Sequence, residues 1–128
     1  MTYLQLLKSR GEHLILRGPQ ACGKTLLATQ LAEAEGVFST ITGGEVIIFF
    51  PKFLENSPKV VIVEDFHIRL GRKSERTKNL EDVAFTLKSD ELTANKKYSP
   101  PLTVQTPVFI FCVNSDFIVP REFARITF

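Results

Sequence analysis

The chain is short of cysteine, histidine, long apolar runs and net charge, and each shortage removes a class of protein. Two cysteines, Cys22 and Cys112, in 128 residues leave no disulfide framework; they fall in a glycine-containing loop and an apolar run, positions that suit reduced thiols. His13 and His67 are the only histidines, and scattered singly they give zinc no ligand set. No stretch reaches the roughly 18 to 20 apolar residues of a membrane-spanning helix, and the first residues lack the basic, apolar, small-residue order of a secretory signal. The expectation is a soluble protein of the cytoplasm, or of a host cell's interior, with no membrane partner. Sixteen basic against 14 acidic residues give +2, so contact with nucleic acid must come from local clusters rather than a global field. Repeats, low-complexity tracts and linkers are also missing, and 44% hydrophobic residues in a chain this short suffice for one core but not two. Residues 1–128 are expected to form one domain.

Four apolar runs stand out: His13 to Leu16, Val46 to Phe50, Val60 to Val63 and Val108 to Val113. Each is short, rich in β-branched or aromatic residues and uninterrupted, the pattern of strands covered on both faces in a parallel sheet. Helical spacing appears between them, in Leu26, Leu27, Gln30 and Leu31 and again in Leu80, Val83, Ala84 and Leu87. Strand and helix alternate. The order predicts an α/β sandwich around about five mostly parallel strands, with ligand sites at the strands' carboxyl ends.

Between the first run and the first helical segment lies Gly18-Pro19-Gln20-Ala21-Cys22-Gly23-Lys24-Thr25, a full match to G-x-x-x-x-G-K-[ST] in the strand-loop-helix context that the motif's mechanism requires. Its glycines let backbone N–H groups curl around phosphates, and the following helix adds the positive end of its dipole. Lys24 would reach the β- and γ-phosphates of ATP, and the Thr25 hydroxyl would join the shell of Mg²⁺. Cys22 has no neighbouring base in the sequence and reads as a small filler of the loop.

Two further strand ends carry polar groups. Val60 to Val63 runs into Glu64 and Asp65; in a phosphate-loop ATPase the first acid holds hydrated Mg²⁺ and the second orients or deprotonates the attacking water. The same pair also suits an acidic turn closing an ordinary strand. Val108 to Val113 ends in Asn114, whose carboxamide can donate to a γ-phosphate or attacking water while accepting from a neighbour; Asn114-Ser115-Asp116 equally suits a plain turn. Arg69, Arg72, Lys73, Arg76 and Lys78 form one basic cluster, diluted by Glu75, Glu81 and Asp82, and Lys96-Lys97-Tyr98 a second. Either could meet a phosphate backbone or simply be a solvated loop.

In order and spacing these motifs resemble those of the superfamily-3 helicases of viruses and mobile elements, a branch of the AAA+ ATPases, and most of all replication initiators of small circular single-stranded DNA viruses. GPQACGKT is similar to that group's phosphate loop, VVIVEDF to its acidic strand and PVFIFCVN to its motif C, with Asn114 as the final asparagine. Ser89 to Tyr98 is similar to the loop that reaches into the ring's channel, which implies nucleic-acid contact through Lys97, with Lys96 beside it. Phe123 to Phe128 resembles the last strand, and Arg125 matches the arginine that serves the neighbouring subunit's nucleotide. Cys112-Val113 replaces the usual Thr-Ser before the asparagine, and the channel loop lacks its usual glycine near Ser89.

The resemblance implies a P-loop NTPase (AAA+/superfamily-3 helicase-like) three-layer sandwich around a mostly parallel five-stranded sheet. It also implies an Mg-dependent ATP hydrolase working in DNA replication as a hexameric ring of identical chains on single-stranded DNA, ahead of RNA. Lys24, Glu64, Asp65, Asn114 and Arg125 would be its catalytic residues, with Thr25, Glu64 and Asp65 around the metal. With no origin-binding or oligomerisation domain before residue 1, the expectation is a minimal motor core, or one whose partner supplies the absent modules. A nucleotide-gated interaction module without turnover, and a small P-loop kinase with Arg69 to Arg76 as its lid, are the competing readings.

Overall fold

Three of the four apolar runs form the centre of a parallel sheet in the computed structural model, which describes residues 1–42, 57–66, 87–94, 100 and 102–128. The element order is α1 (Tyr3–Ser9), β1 (His13–Arg17), α2 (Lys24–Glu33), β2 (Phe38–Thr42), β3 (Val60–Glu64), β4 (Glu91–Ala94), β5 (Leu102–Gln105), β6 (Val108–Val113) and β7 (Phe123–Thr127). Five strands make one sheet in the order β2-β3-β6-β1-β7, and every neighbouring pair is parallel. The chain leaves β1 for the far edge, steps back through β3 to β6, then passes β1 to reach β7. The strand order therefore reverses at β1, which is where open parallel sheets place ligands.

Alternation along each strand sorts the core into two layers. Leu14 and Leu16, Val60 and Ile62, and Val108, Ile110 and Cys112 face α1 and α2. Ile15, Val61, Val63, Phe109, Phe111 and Val113 face the opposite side, covered by Phe66, Leu87, Phe117 and Val119. Phe111 packs against Phe66 with centroids 4.3 Å apart and edge-on to Phe123 at 5.8 Å. Burial of each such side chain stabilises the fold by about 1.5–3 kcal/mol. Edge strand β7 alternates after its buried Phe123: Ala124 and Ile126 are half-buried against the α2 side, whereas Arg125 and Thr127, on the other face, are exposed.

On the helical side, α1 begins with a capping box in which Gln5 N donates to Thr2 Oγ1 (3.2 Å) and Thr2 N to Gln5 Oε1 (3.1 Å). Its Leu4 and Leu7 are buried, and the Thr2 hydroxyl also donates to Glu35 just beyond α2. In α2 the buried face is Ala28 and Ala32, flanked by Leu27 and Leu31. Leu26, counted with the apolar face from sequence spacing, is instead 64% exposed, because the two small alanines sit closest to the sheet and turn Leu26 outward. A separate antiparallel hairpin pairs β4 with β5, and Leu92 packs on the core. It forms without a glycine near Ser89. The expected strand at Val46 to Phe50, and all but Leu87 of the second helical segment, lie outside the described residues. No described helix is long and apolar enough to cross a membrane.

Candidate nucleotide-binding site

Residues 18–23 form a tight turn between β1 and α2, and its shape depends on two glycines. Gly18 N donates to Val113 O (3.2 Å), tying the loop's first residue to the end of β6. A Cβ on Gly18 would lie 2.7 Å from Phe128 Cβ and 2.9 Å from Cys22 Sγ, so no larger residue fits. Gly23 has φ 96°, which an L side chain rarely adopts. Ala21 (φ 56°) also takes a left-handed conformation, a cost of about 1–2 kcal/mol that the surrounding turn must bear. Pro19, Gln20 and Ala21 are exposed, whereas Gly18 is buried and Cys22 half-buried; Cys22 is a free thiol filling the loop's interior. Gly23 starts α2 without a side-chain cap, which leaves the cap role of that helix end to an anion or water.

Lys24 and Thr25 turn this loop into a polar crevice. Lys24 Nζ donates to Gly18 O (2.6 Å) and Val113 O (2.8 Å), holding the ammonium between the loop and the end of β6. The Thr25 hydroxyl donates to both carboxylate oxygens of Glu64 at 3.0 and 3.2 Å, so the first turn of α2 and the end of β3 meet across the strand ends. A hydroxyl beside a carboxylate is a donor set suited to a hard cation such as Mg²⁺. Asp65 follows, exposed and with φ 51°. The strand thus ends in a strained, acidic corner rather than a relaxed turn.

Asn114 completes the group. Its backbone oxygen accepts from Phe117 N (3.3 Å), so the expected turn is present, yet its half-buried side chain also has an Oδ1 buried with no hydrogen-bond partner among the described residues. Buried acceptors normally have donors, and a water or hydroxyl would satisfy this one. Behind it Cys112 is buried, which together with the Glu64 carboxylate pushes its thiol up to about 12. It is a neutral packing group at the place where a more polar side chain was expected.

Five of the residues singled out from sequence therefore gather at the carboxyl ends of β1, β3 and β6: Lys24, Thr25, Glu64, Asp65 and Asn114. Arg125 does not join them. It lies exposed on edge strand β7, opposite Ile15 in the middle of β1. Lys96 and Lys97 fall in the connection between β4 and β5 and lie outside the described residues, as does the cluster from Arg69 to Lys78.

Sequence reading missed Arg17. Its guanidinium donates to Phe117 O (2.9 Å) and Thr127 Oγ1 (3.2 Å), linking the base of the glycine-containing loop to the Asn114 turn and to the end of β7, while its Nε is buried without a partner among the described residues. The signal was present: a cation closing an apolar strand immediately before Gly18 has to find acceptors nearby.

No family model matches the chain, and no curated protein matches it. Among solved structures it is similar to the apo structure of the NrS-1 C-terminal region (305–718), with a TM-score of 0.69 at 22% identity over 91% of this chain and 29% of that one. An A-form apo structure of the same region gives a TM-score of 0.64 at 24% identity, again over 91% and 29%. Another A-form structure gives 0.55 at 20%, over 91% and 27%. This chain thus spans under a third of the NrS-1 region, and at these identities the likeness is one of fold: a mostly parallel five-stranded α/β sheet.

Proposed function

We propose that the chain is the nucleotide-hydrolysing core of a helicase-related protein acting in replication, similar to superfamily-3 motors. The observation that carries this reading is the pairing of the Thr25 hydroxyl with the Glu64 carboxylate beside the Lys24 ammonium, at the strand ends where the sheet's order reverses. When bound, Mg²⁺ would neutralise phosphate charge and hold the triphosphate in position. The chain's own groups divide the remaining work. Backbone amides of residues 18–25 and Lys24 hold the polyphosphate, Thr25 and Glu64 hold the cation, Asp65 orients or deprotonates the attacking water, and Asn114 bonds that water or the terminal phosphate.

Arg125 sits exposed in mid-strand, opposite Ile15, which suits delivery to a neighbour in a homo-oligomeric ring, where it would stabilise charge in the transition state. Single-stranded DNA would thread against the β4–β5 connection, with Lys96 and Lys97 neutralising its backbone. The test is ATP hydrolysis across a protein-concentration series, with and without single-stranded DNA. Turnover per chain should rise steeply with concentration, and Arg125→Ala should remove it while leaving nucleotide binding intact. Unchanged turnover in that variant would exclude an arginine acting between subunits.

The mid-strand position of Arg125, apart from the polar group at the strand ends, also favours a second reading, a nucleotide-gated module that binds ATP and does not turn it over alone. Tight MgATP binding with no phosphate release at any concentration would select it. A kinase would instead yield a phosphorylated acceptor.

A further inference from the structure

Phe128 lies against the glycine-containing loop. Its backbone N donates to Arg17 O (2.8 Å), continuing the β1–β7 pairing one residue beyond Thr127. Alternation along β7 sends Ala124 and Ile126 to the α2 side of the sheet, and Phe128 follows them. Its Cβ is the atom that a side chain on Gly18 would strike at 2.7 Å, and its ring reaches within 3.9 Å of a Cβ built on Gly23. The ring therefore rests against both glycines of the phosphate loop, yet Phe128 remains 43% exposed. In the first turn of α2, Leu26 adds a second exposed apolar side chain.

The two sides of the loop differ in chemistry. Thr25 and Glu64 mark the cation side, towards β6 and β3. Phe128 marks the opposite side, towards β7. A triphosphate whose terminal groups meet the cation side and whose chain follows the loop must direct its ribose and base away from β3, to the side where the aromatic ring stands.

We infer that Phe128 is the stacking platform for the nucleobase, and that the site takes nucleoside triphosphates with little discrimination between adenine and guanine. The inference rests on the reading of residues 18–25 as a triphosphate cradle. A phenyl face attracts any flat π system, so stacking gives affinity without reading the base's edge.

The experiment compares MgATP, MgGTP and inorganic tripolyphosphate, with Mg²⁺ present throughout, by calorimetry on the wild-type chain and on Phe128→Leu and Phe128→Tyr. Leucine keeps bulk against Gly18 and Gly23 and removes the π face. Phe128→Leu is expected to weaken ATP and GTP about 5- to 100-fold while tripolyphosphate changes less than twofold. Phe128→Tyr should bind all three as the wild type does. The chain has no tryptophan, so Phe128→Trp supplies a single indole whose emission ATP should quench and tripolyphosphate should not. Equal weakening of ATP and tripolyphosphate in Phe128→Leu would mean that the ring only props the loop, and no weakening of either would mean that it faces no ligand; both overturn the stacking role alone. ATP bound more than about tenfold tighter than GTP would overturn the claim of low discrimination. A wild-type chain that binds none of the three overturns the cradle, and the stacking role with it.

Discussion

The two ends of the same parallel strands treat polar groups in opposite ways. At the amino end of β1, His13 is 6% exposed and both ring nitrogens are used: Phe109 N donates to Nδ1 (2.9 Å), which leaves Nε2 to donate to Leu87 O (3.2 Å). At the carboxyl end, Asn114 Oδ1 and Arg17 Nε are buried without partners among the described residues, and Ala21 and Asp65 have positive φ. Backbone strain is found at both ends, since Ser57 before β3 has φ 46°; what separates them is that the buried histidine of one end is satisfied and two buried polar atoms of the other are not. Departures from local consistency tend to mark places where a chain has been shaped for something other than its own stability. The comparison therefore predicts that changes at the carboxyl end cost function more than stability, and that changes at the amino end do the reverse.

The largest effect should come from Lys24→Ala. Removing the ammonium proposed to bond phosphate oxygens is expected to weaken MgATP binding at least about 100-fold, near 2.7 kcal/mol, and to bring hydrolysis below detection. Stability should fall only by about 1–2 kcal/mol, because the two lost bonds are only part-buried and Val113 O keeps the bond from Gly18 N. Calorimetric titration and urea unfolding of the same preparation measure both. A variant that binds normally but unfolds much more easily would invert the comparison.

Asp65→Gly sharpens it. Glycine tolerates φ 51°, so relief of strain should offset glycine's larger unfolded-state entropy and leave stability unchanged or up to about 1 kcal/mol higher. Turnover should fall about 100-fold or more with the loss of the carboxylate proposed to orient the attacking water, and MgATP affinity should remain within about threefold. A fall in stability with turnover intact would assign Asp65 to the turn rather than to chemistry.

What could be read from the sequence follows from how local each feature is. β1, β3 and β6 were legible because central parallel strands are apolar on both faces, and GPQACGKT because its geometry is set within eight consecutive residues. β2 was not read: Phe38-Ser-Thr-Ile-Thr42 is an edge strand, and its mixed composition gives neither an uninterrupted apolar run nor a helical period. α1 spans seven residues, too few for periodicity to show, although Thr2 and Gln5 spelled out its capping box. β7 was recognised through resemblance rather than pattern, since only Phe123 along it is buried. The acidic pair and Asn114 were proposed from strand ends alone; their convergence on the loop depends on strand order, which nothing local encodes. The contact of Phe128 with Gly18 joins positions 110 residues apart, and no spacing rule reaches that far.

The smallest effect, and the one that tests the satisfied end, concerns His13. Burial lowers its pKa below the ordinary 6.5, opposed in part by the bond to Leu87 O. Between the folded value and 6.5 the unfolded chain binds more protons than the folded one, so stability falls as pH falls. The contribution is complete above pH 6.5 and is lost as pH drops through the folded value, at most about 1.4 kcal/mol per pH unit. His13→Gln has no ring to protonate. It should be less stable than wild type at pH 7.5, having lost the edge-on contact with Phe109 at 5.6 Å, and that gap should narrow at pH 5.5. Urea midpoints at the two pH values measure it, and MgATP affinity at pH 7.5 should stay within twofold. A gap of equal size at both pH values would show that the imidazole is not held neutral by burial. A large loss of affinity would show that the two ends are coupled through β1, against the separation on which the comparison rests.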